Sequence, residues 1–548
     1  MGPDHGVNLG RRLVLQGAMV AGSLFLPVPY AYVWALSEGA LKLMKAPKIA
    51  LVVGNSKYKE AAVLKNPAND AKAIGETLKQ AGFEVTTKVD MSRSEMAAAI
   101  QVYAQTLAAR KCVGLFYFAG HGLQLAWRNY LIPVDAVIDQ MDDVAKQGID
   151  VGSLIEGITK AANPMNVIIL DACRENPFGK AKVEQKGLSQ MDAPQSTLLA
   201  YATSPGNLAS DGDGANGLYT ENLLREMKVK EAKIEDVFKR VRLSVRRKSD
   251  GAQIPWESTS LEEDFWFLPP TDIKELSDKE KDDEFDAGLA LWEKVRNTKD
   301  PAPLEDFLRR YPSGPFSELA QHQLDALLAS QGEKKIQIAP QEGNPFTKGS
   351  AGANTKWQVG DTYTYRHLDR LANDERSPAV HTVTEITESE VRYRSGLVTD
   401  LLGNVLRRPG GRVYSSNQLE PVEYVVGKQW VTQFRITTPK GRSGLNEMEL
   451  RIVAREKITV PAGTFNAFRI EGRGVFDVDE GKVEVTTLTK WVAPEQVRRE
   501  IAMEETREMT GRGGARGSRH GAMRKPGRGG GSKVVRSIRW ELMSFKQS

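Results

Sequence analysis

The sequence has little cysteine and no large excess of charge of either sign. Only two cysteines, Cys112 and Cys173, occur in 548 residues, which excludes a disulfide framework and a cysteine-rich zinc site. Lysine and arginine total 75 against 70 acidic residues, so the net charge of +5 is small for this length and does not indicate a nucleic-acid-binding protein. A composition of 41% hydrophobic and 26% charged residues excludes a polytopic membrane protein and a wholly disordered chain.

Long apolar runs are also lacking, with one exception near the N-terminus. Residues 13–26 carry no charge, Arg11 and Arg12 precede them, and small residues that suit a cleavage site follow at 33–35. This pattern predicts an export signal over residues 1–36, resembling a twin-arginine or general secretory signal, and hence a periplasmic or extracellular protein. The alternatives are a single uncleaved membrane anchor, although the run is short for a hydrocarbon core of ~30 Å, and an ordinary N-terminal helix. Membrane contact is expected only for the anchor.

Strand and helix patterns alternate through residues 47–268 at the spacing of βαβ units. Residues 113–118 and 167–170 are nearly continuous apolar runs, which is typical of central strands in a parallel sheet that is covered on both faces. Helical periodicity occupies residues 67–81 and 93–109, between strand patterns. We therefore expect an α/β domain, with a mostly parallel sheet flanked by helices.

The remainder of the chain predicts smaller and different modules. Residues 285–330 form a small helical domain, and residues 331–355, rich in Gln, Gly, Pro and Ser, form a linker. Residues 356–548 alternate as β-strands, which favours an all-β sandwich or a curved open barrel. Within them, the Arg/Gly-rich residues 511–532 lack the stacking aromatics of a nucleic-acid site, so we expect a disordered hairpin loop and no specific nucleic acid.

Two strand ends in the α/β domain carry residues that suit nucleophilic chemistry. One apolar run leads into Gly120-His121-Gly122, and another leads into Asp171-Ala172-Cys173. Ligands bind beyond the carboxyl ends of parallel strands, so these segments meet if the strands are neighbours. An imidazole beside a thiol generates the nucleophilic thiolate. The backbone amides of Gly122 and Cys173 would then form an oxyanion hole.

At these residues the sequence resembles the caspases and their bacterial and metacaspase relatives. A His-Gly pair about 50 residues before an Ala-Cys-Arg run is the local signature, and here His121 precedes Cys173 by 52 residues. Further blocks match the bacterial caspase-like pattern in order: Gly54-Asn55-Ser56-Lys57-Tyr58, Leu64-Lys65-Asn66-Pro67-Ala68-Asn69-Asp70-Ala71, Asn129-Tyr130-Leu131-Ile132-Pro133, Asp171-Ala172-Cys173-Arg174-Glu175-Asn176-Pro177-Phe178 and Tyr201-Ala202-Thr203-Ser204-Pro205-Gly206.

The resemblance implies a caspase-hemoglobinase fold and a cysteine endopeptidase, with Cys173 as the nucleophile and His121 as the acid and base. It further implies that Asp171 and Asp70 line the primary substrate pocket, as in metacaspases. Two carboxylates in one pocket favour cleavage after Arg or Lys over cleavage after Asp. Asp171 as the cap of a turn and Asp70 as a helix cap are the structural alternatives. Two departures from the family pattern weaken the pocket assignment: Ala119 replaces a small hydroxyl residue, and Glu175 replaces a glycine.

The predicted chemistry needs no cofactor or metal, and calcium activation, known among metacaspases, has no support in these residues. The expected partners are protein or peptide substrates, together with a protein partner for the β module. A protein that keeps the fold as a non-proteolytic, envelope-associated scaffold or binding protein is the alternative function. The two interpretations differ in whether Cys173 is needed to cut a substrate.

Overall fold

The computed structural model describes residues 37–173, 178, 187–205, 207, 214–270, 276–333, 343–479, 482–511 and 533–547 of the chain. The predicted export signal over residues 1–36 lies outside the described residues and stays a prediction. The same holds for residues 512–532 of the predicted Arg/Gly loop and for the motif residues 174–177.

The N-terminal domain is built on a mostly parallel sheet, as the apolar runs predicted. The strand order is β2-β1-β3-β6-β7-β8, in which β8 is antiparallel to β7, and β4 and β5 extend the sheet from β3. The strands are β1 (Lys48–Gly54), β2 (Glu84–Val89), β3 (Val113–Leu125), β4 (Arg128–Leu131), β5 (Ile149–Asp150), β6 (Met165–Cys173), β7 (Thr197–Tyr201) and β8 (Trp256–Thr259).

Helices cover both faces of this sheet, because successive side chains of the central strands are apolar and point to opposite faces. Leu115 and Tyr117 of β3 belong to a core that includes side chains of α2, α6 and α7, whereas Phe116 and Phe118 face a core with α3 and α5. The helices are α1 (Glu38–Lys45), α2 (Pro67–Gln80), α3 (Arg93–Arg110), α4 (Met141–Gln147), α5 (Val151–Lys160), α6 (Leu218–Glu226) and α7 (Ile234–Lys248).

The two central strands run further than the apolar runs indicated. We expected β3 to end at Phe118 and β6 at Leu170, but β3 continues through His121 to Leu125 and β6 continues to Cys173. The reason is a change of neighbour: β3 pairs with β1 up to Ala119 and with β4 from Gly122 onward. The residues of the predicted site therefore lie within paired strands, which hold their backbone more firmly than a loop would.

A small helical unit follows, formed by α8 (Asp278–Val295), α9 (Pro301–Arg310) and α10 (Ser317–Ser330). An apolar core with Phe285, Trp292, Leu304, Phe307 and Leu324 joins the three helices. Its first helix begins before residue 285, where the predicted helical domain starts. In the part of the chain that the structure describes, no helix is both long enough and apolar enough to cross a membrane.

The C-terminal module is all-β, as predicted, but it is a closed barrel of twelve strands and not the expected sandwich or open barrel. Closure depends on antiparallel pairing of the first barrel strand with the last, for example Tyr363 opposite Phe545, which alternation along the sequence does not reveal. The strands are β10 (Thr362–Asp369), β11 (Asp374–Ile386), β12 (Glu390–Tyr393), β13 (Val398–Asp400), β14 (Val405–Arg407), β15 (Val413–Tyr414), β17 (Gln429–Thr437), β18 (Ser443–Val460), β19 (Gly463–Asp479), β20 (Lys482–Val492), β21 (Glu500–Gly511) and β22 (Lys533–Lys546).

The segment expected as a linker, residues 331–355, is more ordered than a flexible connection where it is described. It contains the short strand β9 (Ser350–Gly352), which pairs with β16 (Glu423–Val425) beside the barrel. Residues 344–348 lie against the N-terminal domain, and Phe346 packs on its core. Through this segment, the N-terminal domain and the C-terminal module are joined by non-covalent contacts as well as by the covalent chain.

The end of β1 provides a test of how tightly the sheet packs on α2. A Cβ added at Gly54 would lie 2.1 Å from the carbonyl oxygen of Pro67 and 2.7 Å from the Cβ of Ala71. We expect Gly54→Ala to lower stability by about 1–3 kcal/mol, because backbone must move to make room. Gly157→Ala in α5 is the matched control, since its added Cβ meets only the Cβ of Ala104, at 3.9 Å. Urea unfolding that shows equal losses for both variants would contradict the expectation.

Candidate active site

The predicted site residues meet on β3 and β6, which are parallel neighbours. In this register Ala119 lies opposite Asp171, and His121 lies opposite Cys173. Neighbouring strands are about 4.8 Å apart, so the backbones of His121 and Cys173 are adjacent. Cys173 is the last residue of β6, whereas His121 lies within β3, at the last residue pair of the parallel β3–β6 ladder. Open α/β sheets bind their ligands at this carboxyl edge.

His121 is buried, and its ring nitrogen Nε2 has a hydrogen-bond partner. Its Nε2 atom lies 2.8 Å from the carbonyl oxygen of Ala62. A carbonyl oxygen only accepts hydrogen bonds, so Nε2 carries the proton in this contact. In a neutral imidazole the lone pair is then on Nδ1, which is the nitrogen able to take a proton from a neighbouring group.

Tyr58 holds the backbone and the ring of His121. Its hydroxyl accepts a hydrogen bond from the His121 N–H (2.8 Å) and donates one to the carbonyl oxygen of Ile132 (3.2 Å). The Ile132 N–H in turn donates to the His121 carbonyl oxygen (3.0 Å). The Tyr58 hydroxyl thus lies between the His121 N–H and the Ile132 carbonyl oxygen. These two groups would otherwise form the second backbone hydrogen bond between His121 and Ile132. The tyrosine ring also packs against the imidazole, with 4.5 Å between ring centroids.

The glycines on either side of His121 let neighbouring side chains approach the β3 backbone closely. A Cβ at Gly120 would lie 2.5 Å from the Tyr58 hydroxyl oxygen, and the Gly120 φ of 152° disfavours other residues. A Cβ at Gly122 would lie 2.9 Å from the Cβ of Ala172. Gly122 pairs with Leu131 next to a hydrogen-bonded pair, so its N–H points away from β4 and toward the side on which β6 lies.

Asp171 lies on the same strand end, half-buried, and accepts a hydrogen bond from the Thr220 hydroxyl (2.7 Å). Since the Thr220 proton is used in this bond, the Tyr117 hydroxyl donates to the Thr220 oxygen, 2.6 Å away. Burial raises the pKa of Tyr117 well above its usual range, and the carboxylates of Asp171 and Asp70 raise it further. Both predicted pocket carboxylates therefore lie near one buried phenol.

Asp70 is more deeply buried than Asp171 and is engaged by the chain that leads into α6. Its carboxylate accepts hydrogen bonds from the Asn216 side chain (2.8 Å) and from the Gly217 N–H (3.1 Å). Asp70 also lies in the first turn of α2, where a negative charge is favourable. These contacts give Asp70 a structural role that links α2 to α6, in addition to any role toward a ligand.

The same stretch of chain has a match among known protein families. Residues 47–266 match the family model of the caspase domain. Residues 47–266 form a caspase domain. The sheet, with its helices on both faces, is the mostly parallel sheet that the resemblance implied, and domains of this family are cysteine peptidases.

Two curated proteins resemble part of this chain. A stretch of 189 residues is 28% identical to mucosa-associated lymphoid tissue lymphoma translocation protein 1 of Homo sapiens, and the Mus musculus homolog matches to the same extent. The match covers 33% of this chain, and the chain spans only 22% of the length of each of these relatives.

Leu188, which follows β6 in the chain of the caspase domain, lies next to Gly122. A Cβ at Gly122 would lie 3.2 Å from the Leu188 side chain. Ser189 and Asn129 then form a reciprocal pair, in which the Asn129 amide donates to the Ser189 carbonyl (2.9 Å) and the Ser189 N–H donates to the Asn129 side-chain oxygen (2.7 Å). This pair fixes the segment against β4.

Residues from beyond the caspase domain fix the same segment on its other side. The Asn344 amide donates to the Gln190 carbonyl (2.9 Å), and the Asp192 N–H donates to the Phe346 carbonyl (3.0 Å). The Thr347 hydroxyl donates to the Asp192 carboxylate (2.6 Å). We call residues 344–348 the 344–348 anchor, because they hold the segment that lines the Gly122 side of the site.

The second cysteine lies elsewhere. Cys112 is completely buried at the start of β3, in the core that α3 covers, and burial raises the pKa of its thiol. These features indicate a structural role for Cys112 in the core. Among the described residues, no group of three or more His, Cys, Asp or Glu side chains is placed to hold a metal ion.

Several contacts at the site could not be found from residue type alone. Tyr58 belongs to the first block of the family resemblance, but nothing in the sequence indicates that it contacts His121. Ala62 contributes a backbone carbonyl, for which no side chain gives a signal. Thr220 lies on α6, and only the fold brings its hydroxyl to Asp171.

The Tyr58 bridge predicts a stability difference. We expect Tyr58→Phe to lower the free energy of unfolding by about 1–3 kcal/mol, because the buried His121 N–H loses its acceptor. Tyr130→Phe is the matched control: Tyr130 lies in the same apolar cluster, and its hydroxyl makes no hydrogen bond to the described residues. Urea unfolding measures both variants, and a loss for Tyr130→Phe as large as that for Tyr58→Phe would contradict the assignment.

Proposed function

We propose that the caspase domain is an active cysteine endopeptidase that cleaves peptide bonds after Arg or Lys. Cys173 is the proposed nucleophile and His121 the proposed acid and base. The observation that carries this proposal is the register of β3 and β6, which sets the two residues opposite each other on adjacent strands. The assigned proton on His121 Nε2 supports it, because that tautomer keeps Nδ1 available to accept a proton.

In the proposed acylation step, His121 Nδ1 takes the thiol proton and the Cys173 sulfur attacks the carbonyl carbon of the substrate. The carbonyl π electrons move to oxygen, and the amides of Gly122 and Cys173 donate hydrogen bonds to that oxyanion. The orientation of the Gly122 N–H toward the β6 side supports this role. Each such donor contributes about 3–4 kcal/mol to stabilisation of the transition state.

The intermediate then collapses, and the bond between the carbonyl carbon and the peptide nitrogen breaks. The imidazolium of His121 gives its proton to the leaving amine, which departs and leaves a thioester on Cys173. A water molecule, activated by the neutral imidazole, hydrolyses the thioester and restores the thiol. The Ala62 carbonyl would hold the ring through both steps, since it stabilises the Nε2–H that stays in place throughout.

The proposed preference for a basic side chain before the scissile bond has its support in Asp171 and Asp70. Both carboxylates lie near Tyr117, and Asp171 is the more accessible of the two. A guanidinium pairs with a carboxylate through two parallel hydrogen bonds, whereas an acidic side chain would meet like charge in a partly desolvated pocket. Asp70 has structural partners of its own, so we assign the larger effect on specificity to Asp171.

The proposed role of Cys173 as the nucleophile can be tested by comparing variants of the two cysteines of the chain. We expect Cys173→Ala to abolish cleavage of fluorogenic peptides with Arg before the scissile bond, a loss of about 10³-fold or more. Cys112→Ala should keep activity, because that thiol is buried in the core. Assays run in calcium and in EDTA ensure that an ion requirement does not hide the activity.

Two results would decide against the peptidase. One is equal activity of the Cys173→Ala variant and the unmodified protein, which would mean that a contaminant cuts the peptide. The other is an inactive but folded protein across a full positional peptide library. The second result would favour the alternative, a non-proteolytic scaffold that keeps the caspase fold.

The specificity can be tested by removing one negative charge. We expect Asp171→Asn to lower kcat/KM for Arg peptides by about 10–100-fold, because the substrate loses a charge-assisted hydrogen bond. Asp250→Asn is the control, since Asp250 lies on an exposed turn with a φ of 49° that Asn tolerates. If Asp171→Asn changes Arg and norleucine peptides by the same factor, Asp171 does not read the charge of the substrate.

A further inference from the structure

The start of α6 is tied to both acidic side chains of the proposed substrate pocket. The Gly217 N–H, at the N-cap of α6, donates to the Asp70 carboxylate, and the Thr220 hydroxyl, in the first turn of the helix, donates to the Asp171 carboxylate. These two contacts connect one helix end to a side chain of α2 and to a side chain of β6. The relative placement of the two carboxylates therefore depends on α6.

The hydroxyl of Thr220 donates in a fixed direction. Thr220 and Tyr117 are both fully buried, and their side-chain oxygens are 2.6 Å apart. Because the Asp171 carboxylate accepts the Thr220 proton at 2.7 Å, the Tyr117 hydroxyl is the donor in the other bond. Donation therefore runs from Tyr117 to Thr220 and from Thr220 to Asp171.

This chain of hydrogen bonds restrains the orientation of the Asp171 carboxylate. Tyr117 lies on β3, in a core that includes side chains of α6, so the chain connects two neighbouring strands and the helix that covers them. Asp171 itself is half-buried, and water can solvate a carboxylate that is partly exposed. A donor from the core is therefore not needed to satisfy this carboxylate, and its main effect is to fix the direction in which the carboxylate points.

The orientation of a carboxylate matters more for arginine than for lysine. A guanidinium presents two parallel N–H groups in a rigid plane, and both bonds form only when the carboxylate lies in the matching plane. An ammonium is a compact charge whose three donors rotate at the end of a flexible chain, so it tolerates a rotated carboxylate. Loss of the restraint should therefore weaken the binding of an arginine side chain more than that of a lysine side chain.

We propose that Thr220 is a positioning residue that makes the pocket prefer arginine to lysine before the scissile bond. It acts through Asp171 and does not touch the substrate, since its side chain is fully buried. The inference rests on the proposed function, because it takes Asp171 as the group that receives the basic side chain. It goes further in assigning the choice between the two basic residues to a side chain behind the pocket surface.

Two readouts on the full chain measure this preference with and without turnover. Hydrolysis of fluorogenic peptides with Arg, Lys or norleucine before the scissile bond gives kcat/KM for each side chain. Isothermal titration of the Cys173→Ala protein with peptides that end in the amide of Arg, Lys or norleucine gives each dissociation constant. The parent protein should favour Arg over Lys, and both over norleucine, in the two measurements.

The decisive variant removes the hydroxyl and keeps the shape of the side chain. We expect Thr220→Val to lower the ratio of Arg to Lys by about fivefold or more in both readouts, because the paired hydrogen bonds to the guanidinium are weakened. Thr220→Ser should restore the ratio, since serine keeps the hydroxyl. Thr77→Val is the matched control: it makes the same change at a buried position of α2 whose hydroxyl has no hydrogen-bond partner among the described residues.

A second variant covers the loss of stability that Thr220→Val brings. Without Thr220, the buried Tyr117 hydroxyl has no acceptor, which is unfavourable. The double variant Tyr117→Phe/Thr220→Val removes this unpaired hydroxyl as well. Compared with Tyr117→Phe alone, it should show the same fall in the ratio of Arg to Lys, and it should melt at a higher temperature than Thr220→Val.

Three outcomes would overturn the role of Thr220. They are an unchanged ratio in both Thr220→Val and the double variant, an equal loss for Arg, Lys and norleucine peptides, and a fall in the Thr77→Val control as large as that in Thr220→Val. Failure of the proposed peptidase gives a different result. No hydrolysis of any peptide, together with binding of the Arg peptide that depends on Thr220, would remove the peptidase and keep the positioning role, whereas no hydrolysis and no binding would remove both.

Discussion

The ladder between β3 and β6 is the constraint from which the caspase domain takes its geometry. These strands are buried on both faces, so their register cannot slip by one residue without moving every apolar side chain to the wrong core. That register sets His121 opposite Cys173 and Ala119 opposite Asp171. The chemistry proposed here is therefore positioned by a hydrophobic core whose residues take no part in it.

The contacts of His121 show how the domain departs from a regular sheet at one place. The Tyr58 hydroxyl takes the position of a ladder bond, and Gly120 leaves the space that the hydroxyl needs. The ring is then held at Nε2 by the Ala62 carbonyl and at its face by the tyrosine. A local irregularity of the sheet thus orients the imidazole, and the His121 N–H, the Tyr58 hydroxyl and His121 Nε2 each have a hydrogen-bond partner.

Much of this arrangement could be predicted from the sequence, for identifiable reasons. The apolar runs at 113–118 and 167–170 have the length of strands and are apolar at successive positions, which indicates strands buried on both faces. The spacing of His121 and Cys173 is also distinctive. The reach of β3 past His121 could not be predicted, since Gly120 and Gly122 resemble a turn until a partner strand is known. Barrel closure was missed because it joins residues at the two ends of the module, such as Tyr363 and Phe545.

Contacts of backbone groups and of buried hydroxyl groups could not be predicted from the sequence either. The Ala62 carbonyl has no residue-type signal, and Thr220 follows Asp171 by 49 residues in the chain before the fold brings its hydroxyl to the carboxylate. Neither contact is visible in the composition or in the spacing of motifs.

The 344–348 anchor has a consequence for how this protein can be divided. Asn344, Phe346 and Thr347 complete the packing of the Gln190 and Asp192 region, although the whole helical unit separates them from it in the chain. A recombination event that moved residues 47–266 into another gene would transfer the histidine and the cysteine but leave this stretch without its outer support. The unit that folds with all of these contacts is therefore larger than the segment that the family model matches.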